Sequence, residues 1–280
     1  MSEASNAAQV EYWNQTMGPT WVELQDQLDG MIEPLGLAGI AALRPAPGET
    51  VLDVGCGCGR TSLQLAAAVG ASGAVVGADI SAPMLAVARA LAVPAASARP
   101  DFREVDAQTS DLGKGVFDGA FSRFGVMFFA DPVAAFANIR SSLKTNGRLA
   151  FVCWRSLAEN LWMRVPLEAA LPLLPALPPP DPTAPGPYAL ADPDRVRQIL
   201  DAAGFQAVSI DAFDAAVGGG DLDASVALTF RIGPLAAALR ENPQFKDKAR
   251  DAVRRALAPY ATPNGVLTPG AVWIVNARAS

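Results

Sequence analysis

Apolar residues recur at three- and four-residue steps through the opening of the chain: Trp13, Met17, Trp21, Leu24, Leu28, Met31 and Leu35. That period is the stripe of an amphipathic helix, and the Arg-Pro-Ala-Pro-Gly run at 44–48 ends it. Beyond it the pattern changes. Short apolar runs at 51–54, 74–78, 102–105, 117–121 and 148–154 alternate with helical patterns at 60–69, 83–92 and 132–143. Strands alternating with helices predict right-handed crossovers and a parallel sheet covered on both faces. Between the last of these helices and the strand at 148–154, the helix is expected to end near Lys144 and Asn146-Gly147 to make a turn. A helical pattern at 159–171 leads into the proline-rich stretch 172–187, which is expected to be an extended connector. A helix at 192–203 follows, then a strand at 205–213 and a final strand at 271–279. Between those two strands lie about fifty residues with two helical patterns, more than an ordinary loop holds.

Composition narrows the class. The 280 residues suffice for one large domain, and 51% hydrophobic with 18% charged residues indicates a well-buried globular chain. A net charge of −6 argues against a nucleic-acid partner, whose phosphates need a basic face. The three cysteines form no disulfide framework, Cys56 and Cys58 being too close to pair, and are expected to be reduced thiols. Histidine is absent, so the commonest general base and metal ligand are missing and no metal site is expected. The polar, acidic start of the chain is unlike a signal peptide, and the apolar runs stop short of a membrane span, so the expectation is a cytoplasmic protein.

The chemistry concentrates at "VLDVGCGCGRTSLQLA" (51–66), where a strand runs into three alternate glycines and then a helix. Glycine allows a tight turn and close ligand approach, and a helix N-terminus offers free N–H groups. A second feature accompanies the loop: "GAVVGADIS" sets Asp79 at the end of the next strand, where a carboxylate can accept both hydroxyls of a ribose. A dinucleotide site wants a G-x-G-x-x-G spacing for its pyrophosphate. Here the spacing is Gly55-x-Gly57-x-Gly59, preceded by the acidic Asp53. A carboxylate repels pyrophosphate but favours a ligand with an ammonium and a sulfonium, so the pattern favours S-adenosylmethionine over NAD.

With these residues in view, "VLDVGCGCG", "GADIS" and "REVDAQ" (103–108) resemble the first three motifs of class I S-adenosylmethionine-dependent methyltransferases. "FDGAFSRFGVMFFADPVAAFANIRSSLKTNGRLAFVCW" resembles the fourth strand, helix and fifth strand of the subgroup that includes ubiquinone/menaquinone C-methyltransferases (methyltransferase type 11). The resemblance covers about residues 10–155 and implies a doubly wound, seven-stranded, mostly parallel α/β sheet with N-terminal helices and a helical insertion before the last strand. One domain over 1–280 is expected, with a helical cap at 1–48, a cofactor-binding core at 49–155 and a helical lid at 217–269.

The resemblance further implies that Gly55, Cys56, Gly57 and Gly59 wrap the methionine part of the cofactor, with Asp53 near its ammonium. Asp79 would hold the ribose, Ile80 and Met84 pack the adenine, and Asp106 with Ala107 read its amino edge. Ser122 and Arg123 would follow the fourth strand, where the methyl faces the acceptor. Tyr12 and Trp21 on the leading helix would border the sulfonium. The acceptor pocket is expected from Phe124, Met127, Phe128, Trp154 and Trp162, with Arg231 of the lid as a residue that can meet an acidic acceptor. Candidate catalytic residues are Arg123, Tyr188 and Glu159, with Asp131 a further candidate base. The expected partner is a small, aromatic or apolar methyl acceptor; a homodimer is allowed. Two alternatives stay open: a cofactor-binding protein without catalysis, and, less favoured by the glycine spacing, an NAD-dependent oxidoreductase.

Overall fold

The computed structural model describes residues 6–177, 179 and 181–280. The first five residues of the expected cap, and Pro178 and Pro180 of the expected connector, lie outside them.

The opening helical stripe folds as α1 (Ala7–Glu11), a wide π turn (Tyr12–Thr16), α2 (Met17–Glu23) and α3 (Gln25–Leu43). N-terminal helices were the expectation, and the stripe is shared among them. Pro19, which has no N–H to offer the preceding turn, stands third in α2, three positions after the π segment ends. The sheet and its crossovers then follow in order: β1 (Thr50–Val54), α4 (Arg60–Val69), β2 (Ala74–Asp79), α5 (Ala82–Ala90), β3 (Asp101–Glu104), β4 (Phe117–Arg123), α6 (Pro132–Ser142) and β5 (Leu143–Trp154). After α7 (Leu161–Ala170) and α8 (Pro193–Ala202) come β6 (Phe205–Gly218), the helices α9 (Leu222–Thr229), α10 (Gly233–Glu241) and α11 (Lys246–Leu257), the two-residue β7 (Ala261–Thr262) and β8 (Gly265–Ala279).

The strands lie in the order β3-β2-β1-β4-β5-β8-β6, with β7 paired only to β8. The five on the β3 side are parallel, and β8 enters antiparallel between β5 and β6. This is the doubly wound α/β sheet expected. Side-chain alternation builds its two layers. Val51, Val75, Phe121 and Ala150 pack under α3 and α4 with Ile40, Leu43, Leu65 and Val69. Their neighbours Leu52, Val76, Ala120 and Leu149 face the other way, with Phe136, Ile139, Val196 and Ile199 of α6 and α8.

Two boundaries differ from the sequence pattern. β5 begins at Leu143 immediately after α6, and residues 144–147 loop out as a bulge where Asn146 takes φ +62°. β6 continues past Phe213 to Gly218, paired to Leu267. It is an edge strand with its outward residues exposed, so its weak apolar alternation carried little signal. The two strands take up the ends of the expected 217–269 segment, and the inserted helices occupy 222–257.

Those helices pack as a satellite core: Val226, Leu235, Leu239, Ala249, Val253 and Leu257 close around Ala170 of α7 and Val266 of β8. Among the described residues no single helix is long and apolar enough to cross a membrane. The bent pair α9–α10 reaches that length and composition jointly; its Val226, Leu235 and Leu239 pack in this cluster and its Leu228 in the main core.

Candidate functional site

At the carboxyl ends of the parallel strands lies one open cavity of about 1160 Å³. Its first wall is the glycine loop. Gly55, Gly57 and Gly59 all adopt positive φ, at +67°, +55° and +88°, which an L side chain tolerates poorly. Each glycine answers a different demand. A Cβ on Gly55 would stand 2.7 Å from the Cα of Gly125, where β1 and β4 run out side by side. A Cβ on Gly57 would meet only the tip of Met84, at 2.8 Å, and otherwise enters the cavity. A Cβ on Gly59 would strike Phe102, Ala88 and Leu91, away from the cavity. Gly59 is therefore a packing glycine, and its assignment to the ligand wall is corrected. Cys56 and Cys58 line the wall as buried thiols; burial pushes Cys58 up to about 12 and Cys56 up as well, so both stay protonated.

Asp79 ends β2 on the same wall. One carboxylate oxygen accepts the Gly57 N–H at 2.7 Å and the other the Ser81 N–H at 2.8 Å. Burial pushes its pKa up, and these backbone donors act against that rise. A carboxylate offers about four acceptor positions, so capacity is left for a ligand. Ile80, Met84 and Ala107 line the adjoining stretch, with Asp106 held by Asn6, Gln108 and Thr109. Tyr12 and Trp21 close this side from the N-terminal helices, and Trp13 between them seats edge-on against Phe128, ring centroids 5.0 Å apart.

Asp53 takes a different place from the one expected. It is fully buried behind the loop, accepting the hydroxyls of Thr61 (2.7 Å) and Ser62 (2.6 Å) at the start of α4, and does not line the cavity. Burial pushes its carboxyl up to about 6, against those two hydrogen bonds. Because the folded value exceeds the unfolded one, the native state binds this proton more tightly, and stability falls as pH rises from about 4 to 6 and is flat above. Denaturant unfolding of wild type and Asp53→Asn at pH 4.5 and 7 should therefore show wild type losing about 2 kcal/mol more than the variant. Parallel pH profiles for the two proteins would contradict this.

The second wall is aromatic. Phe124, in a left-handed conformation at φ +68°, stacks on Trp154 at 4.3 Å and 10°, and Trp154 meets Trp162 at 5.2 Å. Met127 and Phe128 complete it, and Ile232, Gly233 and Pro234 of the insertion border it. Tyr188 also faces the cavity, but its hydroxyl is spent on the Met163 sulfur and burial pushes its pKa up, which disqualifies it as a base.

Four further expectations are corrected. Ser122 is fully buried on the opposite face of β4 from Arg123, as strand alternation requires. Glu159 closes a capping box with Ser156 and pairs with Arg155; burial acts to raise its pKa, but these bonds hold it low, off the cavity. Asp131 caps α6 through the Ala134 N–H. Arg231 forms a two-pronged bridge to Glu23 of α2, joining the insertion to the N-terminal helices rather than reaching into the cavity. Arg123 does line the cavity, paired with Asp29.

Sequence reasoning missed Asp29, Asn6, Arg60 and Cys58 on the wall. Charges of both signs line the cavity: Asp29, Asp79, Asp106, Asp181 and Asp192 with Arg60, Arg123, Arg195 and Arg240.

Residues 51–147 match the protein family described as methyltransferase domain. The chain is 30% identical over 142 residues to an O-methyltransferase of Pyrenophora dematioidea, covering 50% of this chain and 51% of that protein. To an aklanonic acid methyltransferase of Streptomyces sp. (strain C5) it is 34% identical over 118 residues, 42% of this chain and 54% of that one. It thus spans about half the length of these curated relatives. A solved structure of phosphoethanolamine N-methyltransferase 2 from Haemonchus contortus, in complex with phosphomonomethylethanolamine and S-adenosylhomocysteine, superposes with a TM-score of 0.52 at 18% identity, over 88% of this chain and 52% of that one. At that identity the likeness speaks for the fold.

Proposed function

We propose, from a methyltransferase domain at residues 51–147, that the protein binds S-adenosylmethionine and transfers its methyl group to a small aromatic or apolar organic acceptor. The observation that carries the reading is the single cavity joining the glycine loop and Asp79 to the stacked Phe124 and Trp154. Its volume of about 1160 Å³ exceeds the roughly 300–1,000 Å³ of ordinary small-molecule pockets, which suits two ligands side by side.

The residues present fit the cofactor: Gly57 leaves a space that a Cβ would fill, and Asp79 keeps acceptor capacity toward it. Asp79 would hold the ribose hydroxyls and Asp106 the amino edge of the base, while Tyr12 and Trp21 cover the ligand from the N-terminal side. When bound, S-adenosylmethionine supplies an activated methyl on a good leaving group. What the chain must add is alignment of the acceptor's nucleophilic atom and exclusion of water, which the aromatic wall provides. Tyr188 stays protonated and Glu159 is engaged elsewhere, so the reading favours an acceptor with an acidic hydroxyl that gives up its proton without a dedicated base.

Incubation with labelled S-adenosylmethionine and a panel of phenols, hydroxyquinones and amines tests the transfer, and the products identify the acceptor atom. Calorimetry tests the site: Asp79→Asn should weaken S-adenosylhomocysteine about tenfold, some 1.4 kcal/mol, through loss of a charge-assisted acceptor. Binding of NAD without any binding of S-adenosylhomocysteine would refute the reading.

A further inference from the structure

The glycine loop and the stacked rings leave one arm of the cavity without a task. It starts at Trp162 and runs between α7 and α10, whose first turns meet where a Cβ on Gly233 would lie 3.9 Å from the Met163 Cγ. From there each helix shows the cavity one face at helical spacing. Met163, Leu167 and Leu171 stand on one side, and Gly233, Ala237 and Arg240 on the other. Ala170 of α7 and Leu235 and Leu239 of α10 turn away into the satellite core, which holds the two helices together. At about 1.5 Å of rise per residue, Leu171 and Arg240 stand roughly 10–12 Å along their helices from that meeting point. The proline-rich connector supplies the third side through Leu177 and Pro179. Further on, its Gly186 N–H donates to the Met127 carbonyl at 3.0 Å, which ties it to the aromatic wall.

Two features mark the far end of this arm. Leu171 is 40% exposed, and of the large apolar side chains exposed among the described residues it is the one that lines the cavity. Arg240 is exposed as well, and it is the lining cation with no hydrogen bond or ion pair among the described residues. Arg60 is held by Glu33, Arg123 by Asp29, and Arg195 by the Ala189 carbonyl. The Asp181 carboxylate on the connector is engaged by Thr183. Open apolar surface that ends at an uncommitted guanidinium complements an apolar chain that ends in an acid.

We infer that the methyl acceptor is longer than one ring and carries an acid at its far end. Its hydroxylated ring lies at Phe124 and Trp154, and an apolar extension of about 10 Å lies between α7 and α10. The carboxylate at the end of that extension meets Arg240. Ala237, the small residue midway along the α10 face, sets the width of the arm, and Arg240 selects the end group. Apolar contact supplies the affinity and the guanidinium the selectivity. The inference rests on the methyl-transfer reading and names the acceptor class for it.

Calorimetry on protein saturated with S-adenosylhomocysteine tests this with 4-ethylphenol, 4-octylphenol and 8-(4-hydroxyphenyl)octanoate, each below its micellar concentration. The octyl chain should raise affinity at least about tenfold over ethyl, and the carboxylate at least about threefold more. Ala237→Trp fills the arm from an exposed position. It should bring both long phenols down to the level of ethylphenol and leave ethylphenol and S-adenosylhomocysteine within about twofold of wild type. Arg240→Gln should erase the advantage of the carboxylate alone. Equal binding of ethylphenol and octylphenol to wild type, or a loss in Ala237→Trp shared by all the ligands, overturns the arm. Octylphenol that binds wild type as tightly as its acid overturns the role of Arg240. Protein that does not bind S-adenosylhomocysteine refutes the methyl-transfer reading, and the same phenol series without it still decides the arm.

Discussion

Gly57→Val should lower S-adenosylhomocysteine affinity by more than about a hundredfold, some 2.7 kcal/mol, in a protein that still unfolds in one cooperative step. Gly57 sits at φ +55°, where an L residue costs about 1–2 kcal/mol, and a β-branched one is poorly tolerated. The only protein atom in the way is the flexible end of Met84, which can move. The rest of the new side chain stands in the cavity and presses on the N–H that Asp79 accepts. The damage therefore falls on the ligand. Gly55→Ala should behave in the opposite way, because its methyl meets the Gly125 backbone and the loss appears as stability. Calorimetry with denaturant unfolding separates the two, and wild-type affinity in a folded Gly57→Val protein would remove the loop from the ligand wall.

Excising residues 221–264 should cut methyl transfer by about a hundredfold while S-adenosylhomocysteine affinity stays within about threefold. The excision is feasible because the flanking strands already meet: Gly219 donates to Val266 at 3.1 Å and Val266 to Gly220 at 2.8 Å, so a short Gly-Ser turn closes the gap. What is lost is Ile232, Gly233 and Pro234 beside Trp162, the cover over the aromatic wall. Open to water, that wall no longer holds an acceptor in line. The cut also bares Val165 and Ala169 of α7, so Ile232→Asp in the full chain is the companion variant, expected to slow transfer in the same direction. Full transfer in a folded excision rules out the covering role. Lost S-adenosylhomocysteine binding would mean that the insertion supports the first wall instead.

The sequence was most legible where local pattern and tertiary role coincide. α4 has the bounds its periodicity predicted, Arg60–Val69, because an apolar face, a glycine start and a glycine end all agree. Asp79 was legible for a similar reason: a strand end is a fixed address. Asp53 was not, since a carboxylate before a glycine loop can turn toward the ligand or back under the helix. The hydroxyls of Thr61 and Ser62, eight and nine positions on, decide that. Asp29 carried no signal at all. It stands beside Leu28 on a helix whose apolar stripe sets the pattern, and its meaning comes from Arg123, 94 positions away. Arg231 was misplaced because nothing local announces Glu23, 208 positions earlier.

The meeting of Gly55 and Gly125 bears on how such a chain can change over time. Each glycine's missing side chain would fall within 2.8 Å of the other's Cα, so neither position can accept a methyl while the backbones stay where they are. The constraint is mutual but not exchangeable. A larger residue at one site cannot be relieved by a smaller one at the other, because the other is already as small as a residue can be. Ordinary core contacts drift by paired trades of volume, and this one has no such route. The two positions are frozen together, and a lineage that keeps this cavity mouth must inherit both glycines unchanged.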